Sequence, residues 1–129
     1  MSPMSARVLV VEDDPDIRAM LSQLLEFEGY QVIAASNGRE ALQRLRGGVR
    51  PFLLLVDLMM PVMDGWEFLE QRAKEPDFAS IPVVVFSGDG NVGRTGALPV
   101  AGYLRKPIDC NALLATVERF SSGVDERGS

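Results

Sequence analysis

The hydrophobic pattern of this chain changes period repeatedly, from short unbroken apolar runs to apolar positions at helical spacing, and few architectures accept that alternation. Val8 to Val11 is a run of β-branched residues and leucine, as expected of a strand covered on both faces. It ends in acid, at Glu12, Asp13 and Asp14. Pro15 then suits the first position of a helix with Asp14 as its N-cap. Ile17, Met20, Leu21, Leu24 and Leu25 recur at i, i+3, i+4, i+7 and i+8 as its apolar face, and Gly29 stops it.

The same alternation continues. Gln31 to Ala35 predicts a second strand, and after Ser36-Asn37-Gly38 a helix carries Ala41, Leu42 and Leu45 on one face as far as Gly47-Gly48. Phe52 to Val56 predicts a third strand, again followed by acid, at Asp57. A helix is expected from about Trp66 to Lys74, with Trp66, Leu69 and Ala73 sharing a face. Ile81 to Phe86 and Ala101 to Leu104 predict the fourth and fifth strands. The last helix is expected over Asp109 to Phe120, with Leu113, Val117 and Phe120 inward, followed by a flexible tail over residues 122–129.

Five strands separated by helices, with no hairpin signal, imply right-handed crossovers and therefore a doubly wound α/β fold with a parallel sheet covered on both faces. In such sheets ligands sit beyond the carboxyl ends of the strands, at a switch point. Asp13, Asp57, Ser87 and Lys106 are all expected just past strand ends, so four residues distant in sequence meet on one edge.

Composition removes whole classes of chemistry from that edge. The chain has no histidine, so it builds no imidazole metal cluster, no Ser-His-Asp or Cys-His pair and no phosphohistidine. Its one cysteine, Cys110, forms no intramolecular disulfide and points to a reducing compartment. Thirteen basic against 18 acidic side chains, a net charge of −5, have the wrong sign for neutralising a nucleic-acid backbone, so no direct nucleic-acid partner is expected. The longest apolar run, Pro51 to Val56, is far too short to span a bilayer, and the start MSPMSARV lacks the long apolar region of a signal peptide. A cytoplasmic protein with no membrane partner is the expectation. A chain of 129 residues fits one domain.

Three carboxylates on one edge, Glu12, Asp13 and Asp57, repel one another unless they stay protonated or share a cation. A hard divalent ion such as Mg²⁺ suits an all-oxygen set. Lys106 adds a mobile point charge able to pair with a carboxylate or a phosphoryl oxygen, and Ser87 adds a hydroxyl. Each residue also has a bland reading: helix-start acids are usually caps, a serine after a strand is usually turn chemistry, and a Lys-Pro ahead of a helix usually leaves the lysine in solvent. The order tips the balance, because acid pair, single acid, hydroxyl and lysine each follow a different strand of one series.

On the segments VLVVEDDPDIR (8–18), LLLVDLMMPVMDGWEFL (53–69), VVVFSG (83–88) and YLRKPID (103–109), the chain resembles the CheY-like receiver domain of two-component response regulators. The resemblance covers residues 6–121, leaving 1–5 as an N-terminal extension. It implies a flavodoxin-like sheet in strand order 2-1-3-4-5. It implies that Asp57 is the phosphoacceptor, that Glu12 and Asp13 hold Mg²⁺ with Asp57 and the backbone carbonyl of Met59, and that Asp14 serves as the helix cap. It further implies that Ser87 is the switch hydroxyl, Lys106 the phosphoryl-binding lysine and Tyr103 an aromatic that changes rotamer on activation. Gly88 leaves room for the phosphoryl group, a cis peptide before Pro107 turns Lys106 toward the site, and Asp64-Gly65 forms a turn capping the third helix, with Gly65 free to take positive φ.

Two features stand apart from that pattern. Gly88 to Gly93 matches G-x-G-x-x-G literally, yet no helix opens inside it, so no dinucleotide cofactor is expected. Receivers carry a further helix in this region, whereas Gly88, Gly90, Gly93, Gly96 and Pro99 crowd it here. Each interior glycine costs a helix about 1 kcal/mol and a proline about 3, so a short or distorted helix, or none, is expected. The function implied is a phosphoacceptor that takes a phosphoryl group from a phosphohistidine on a sensor kinase or phosphotransfer protein and switches a downstream protein. It is a signalling domain catalysing only its own phosphorylation and dephosphorylation. The alternatives are an interaction scaffold on the receiver fold and a Mg²⁺-dependent phosphatase, the latter without a recognisable acid for the leaving group. The chain has no room for an output domain after its last helix, so it acts through a partner or belongs to a longer protein. Oligomeric state is left open.

Overall fold

The computed structural model describes residues 7–58, 65–87 and 100–128. Their elements follow as β1 (Arg7–Val11), α1 (Pro15–Phe27), β2 (Gln31–Ala35), α2 (Gly38–Arg46), β3 (Leu53–Asp57), α3 (Gly65–Ala73), β4 (Val83–Ser87), β5 (Gly102–Arg105) and α4 (Cys110–Gly128). The strands form one sheet in the order β2-β1-β3-β4-β5, every neighbouring pair parallel. This is the doubly wound flavodoxin-like order.

Local chemistry sets the helix starts. Asp14 caps α1, its Oδ1 accepting the amides of Asp16 at 2.9 Å and Ile17 at 3.3 Å. Asn37 caps α2 through the amide of Glu40 at 2.8 Å, and Glu40 reaches back to accept the amide of Ser36 at 2.5 Å. That backbone N–H is the main reason the Glu40 carboxyl sits below its usual range. After α1 the chain turns at Gly29 with φ +96°, a conformation other residues adopt only under strain.

Because successive strand residues face opposite sides, the sheet divides the core in two. Leu9, Val11, Leu54, Val56, Val83 and Val85 pack with Leu42 and Leu45 of α2 and Phe68 and Leu69 of α3. Val8, Val10, Leu53, Leu55, Val84 and Phe86 pack with Leu21 and Leu25 of α1 and Leu113 and Val117 of α4. No helix among the described residues is long and apolar enough to cross a membrane.

Several expectations need correction. Met20 is 42% exposed, so it belongs to the rim of the α1 face and not to its core. Among the described side chains the buried face of α3 comprises Phe68, Leu69 and Arg72, while Ala73 is exposed; the Trp66 side chain lies outside the description. Phe68 brings far more apolar surface than Ala73, and Arg72 follows it inward because its Nη2 donates to the carbonyls of Ala79 and Ile81, each at 2.6 Å. Gly65 is the first residue of α3. Helix α4 continues to Gly128, beyond the end at Phe120 expected for the last helix. No proline interrupts Ser121 to Gly128, and Gly123, the one glycine in the interior of that stretch, carries a penalty of only about 1 kcal/mol. Strands β3, β4 and β5 each end one residue later than expected. The glycine-rich segment 88–99, with its expected short helix, lies outside the described residues.

Arg72 is therefore a structural tie between α3 and the connection into β4. Arg72→Met keeps the buried stem and removes both donors, so it is expected to lose about 2 kcal/mol of stability, read as a lower urea midpoint at unchanged slope.

Candidate functional site

Parallel register delivers the polar residues to one place. Val11 pairs with Val56, Asp57 with Phe86, and Ser87 with Arg105. Glu12 thus follows β1 at the level of Asp57, and Lys106 follows β5 one step past Ser87. Two backbone bonds extend the ladder at this edge, from the amide of Glu12 to Ala35 O at 3.0 Å and from that of Leu58 to Phe86 O at 3.1 Å. The acid pair and Asp57 are held by the sheet as much as by loops.

Carboxylate oxygens of Glu12, Asp13 and Asp57 lie within 4.8 Å of one another. Glu12 is 0% and Asp57 1% exposed, whereas Asp13 is half-buried. Lys106 Nζ donates to Asp57 Oδ2 at 3.0 Å and stands 3.4 Å from Glu12 Oε1. It also lies over the Phe86 ring, 5.5 Å from the centroid. Burial alone would lower the Lys106 ammonium, but its contacts with Asp57 and Glu12 outweigh that and raise it, so the lysine is firmly cationic. Glu12 Oε2 accepts the amide of Asp14 at 3.0 Å, and Glu12 Oε1 is buried with no hydrogen bond among the described residues.

The other expected residues fall around this cluster. Ser87 ends β4 at the same edge, its side chain outside the description. Tyr103 sits in β5 opposite Val85, packed against the α2/α3 side of the core, its hydroxyl buried and without a hydrogen bond among the described residues. The Lys106-Pro107 peptide is cis, as expected. Met59, Asp64 and Gly88 lie outside the described residues.

Sequence reasoning missed Arg18. Its Nη1 donates to the carbonyl of Glu12 at 2.8 Å and approaches that of Asp13 at 3.4 Å. The available signal was its place one turn after the cap Asp14, on the helix face turned toward the acid loop.

Comparison with known proteins agrees with this geometry. Residues 8–118 match the family model described as the response regulator receiver domain. The chain is 32% identical to Protein PilH of Pseudomonas aeruginosa over 124 residues, covering 92% of this chain and 99% of that protein. It is 39% identical over 115 residues to the response regulator MprA of Mycobacterium ulcerans, covering 87% of this chain and 48% of the relative. Several curated relatives are longer still, and the chain spans about half of their length or less. Among solved structures, the signal receiver domain of a signal transduction histidine kinase from Syntrophus aciditrophicus superposes with a TM-score of 0.84 at 33% identity, covering 93% of this chain and 92% of that one.

Crowding has a measurable consequence. Glu12 is pushed up to about 7, first by burial and then by the Asp57 charge, against the opposing pull of the Asp14 amide and Lys106. An acid raised on folding binds more protons in the folded state than in the unfolded one between its ordinary value and the raised one. Stability of the metal-free protein is therefore expected to fall as pH rises from about 4.5 to about 7 and then level off. Thermal melts across that window should flatten markedly for Glu12→Gln, and an equally steep profile in that variant would show the slope to arise elsewhere.

Proposed function

The chain belongs to the response regulator receiver domain family, phosphoryl-accepting switches of two-component signalling, and from that membership we propose that Asp57 is its phosphoacceptor. The observation that carries this reading is the Lys106 ammonium 3.0 Å from a buried Asp57 carboxylate beside two further acids at the sheet edge.

The roles follow from charge. A carboxylate oxygen of Asp57 attacks the phosphorus of a donor phosphohistidine, forming an O–P bond as the N–P bond breaks; the imidazole keeps the electron pair and takes up a proton. A small acyl phosphate serves equally, its carboxylate leaving. Glu12 and Asp13 would repel the incoming phosphoryl group. Their all-oxygen set, with Glu12 Oε1 buried and lacking a hydrogen bond among the described residues, fits Mg²⁺. Glu12, Asp13 and Asp57, with the carbonyl of Met59, would hold it. When bound, such an ion supplies charge neutralisation for carboxylates and phosphoryl oxygens. Lys106 contributes a further positive charge for a phosphoryl oxygen, so catalysis is positioning plus electrostatics.

Phosphorylation puts new charge at the end of β3. Ser87, at the neighbouring end of β4, is the hydroxyl drawn toward it, with Gly88 leaving space. Tyr103, whose hydroxyl has no hydrogen bond among the described residues, then changes rotamer; the phosphate biases a two-state element that needs only a few kcal/mol between its states. The domain so read catalyses only its own phosphorylation and dephosphorylation, takes phosphate from a histidine kinase or phosphotransfer protein in the cytoplasm, and acts on a downstream protein. With no histidine of its own, the chain receives a phosphoryl group without supplying one from imidazole.

Incubation with acetyl phosphate and Mg²⁺ is expected to add one phosphoryl group by intact mass, lost on treatment with hydroxylamine. Asp57→Asn should abolish the gain, and Lys106→Ala should slow it by about 10²-fold or more. No gain, or a gain that survives Asp57→Asn, overturns the assignment.

A further inference from the structure

Glu12 and Asp13 stand where β1 has ended and α1 has not begun, so their carbonyls face the gap between ladder and helix. Their side chains repel each other and Asp57, a force that tends to open this loop. Three contacts oppose it. The Glu12 amide is tied to Ala35 O, the Asp14 amide to Glu12 Oε2, and the two carbonyls to the guanidinium of Arg18.

Arg18 is well suited to that task. Its own amide donates to Asp14 O at 2.8 Å, so its backbone is set by the capped first turn. One guanidinium nitrogen, Nη1, is shared between two successive carbonyls, and the planar group holds it in a fixed direction that a freely rotating lysine ammonium lacks. Asp13 gains most, since no described residue donates a hydrogen bond to its carboxylate and its backbone alone aims it.

We propose that Arg18 is a positioning residue for divalent-cation binding: by clamping the carbonyls of Glu12 and Asp13 it holds their carboxylates in register with Asp57. This rests on the reading of the acid cluster as the cation site. Groups that orient ligands from behind typically change metal affinity 10- to 100-fold when removed.

Calorimetric titration of the cation-free full chain with MgCl₂ tests it. Arg18→Ala is expected to weaken binding by about tenfold, and Arg18→Lys, which keeps the charge with a less suitable donor, by a smaller factor. Ser22→Ala removes a hydrogen bond from the same helix turn without touching the clamp, and it should bind as the natural chain does. If Arg18→Ala fails to fold, Arg18→Lys carries the test. Unchanged affinity in the Arg18 variants, or an equal loss in Ser22→Ala, overturns the proposal while leaving the cation site in place. A natural chain that binds no Mg²⁺ overturns both.

Discussion

Two buried carboxylates, Glu12 and Asp57, share one small volume at the edge of the sheet, and the rest of the molecule is arranged around making that possible. Taking such charges out of water is costly, and breaking a buried ion pair by removing one partner typically costs about 3–5 kcal/mol. Lys106 meets part of the demand from above, through Asp57 Oδ2 and Glu12 Oε1. The Asp14 amide meets another part. What stays unmet, a Glu12 oxygen without a hydrogen bond among the described residues and a carboxyl pushed up to about 7, is the tension that a cation or a phosphoryl group with its cation would relieve.

The sheet can hold this arrangement because it is buried on both faces. Alternate residues of β1, β3 and β4 belong to different cores, one under α1 and α4 and the other under α2 and α3. Slipping any strand by one residue would exchange its side chains between cores of different shape. Register is thereby fixed over the whole strand, and the polar residues at the strand ends inherit that precision. Function in this fold is paid for by packing far from the site.

Much of this could be read in advance, and the residues that escaped share a cause. Continuous apolar runs revealed β1 and β3 because a strand covered on both sides has no polar face. Asp14 and Asn37 revealed helix starts because capping is a local interaction. Ala73 was misjudged on α3 because Leu69 and Ala73 satisfy helical spacing as well as Phe68, Leu69 and Arg72 do, and periodicity is silent on which set the sheet receives. Neither Arg72 nor Arg18 stands out in the sequence pattern, because both donate to backbone carbonyls that folding leaves unpaired. Unpaired carbonyls belong to no sequence pattern. Met20 followed the apolar spacing of α1 and still came to lie at the rim, because the width of a buried face depends on the neighbour that covers it.

The residue order alone already contained the alternation of strand and helix, the absence of any imidazole chemistry, and a series of acid pair, acid, hydroxyl and lysine at successive strand ends. Those are properties of local pattern and composition, which need no partner to be expressed. The distances within the acid cluster, the division of Lys106 between two carboxylates, the burial that raises Glu12 and the clamp of Arg18 on the acid loop arose with the folded sheet. Each depends on which groups are brought together and how far water is excluded from them, and both quantities exist only once strands far apart in the chain lie side by side.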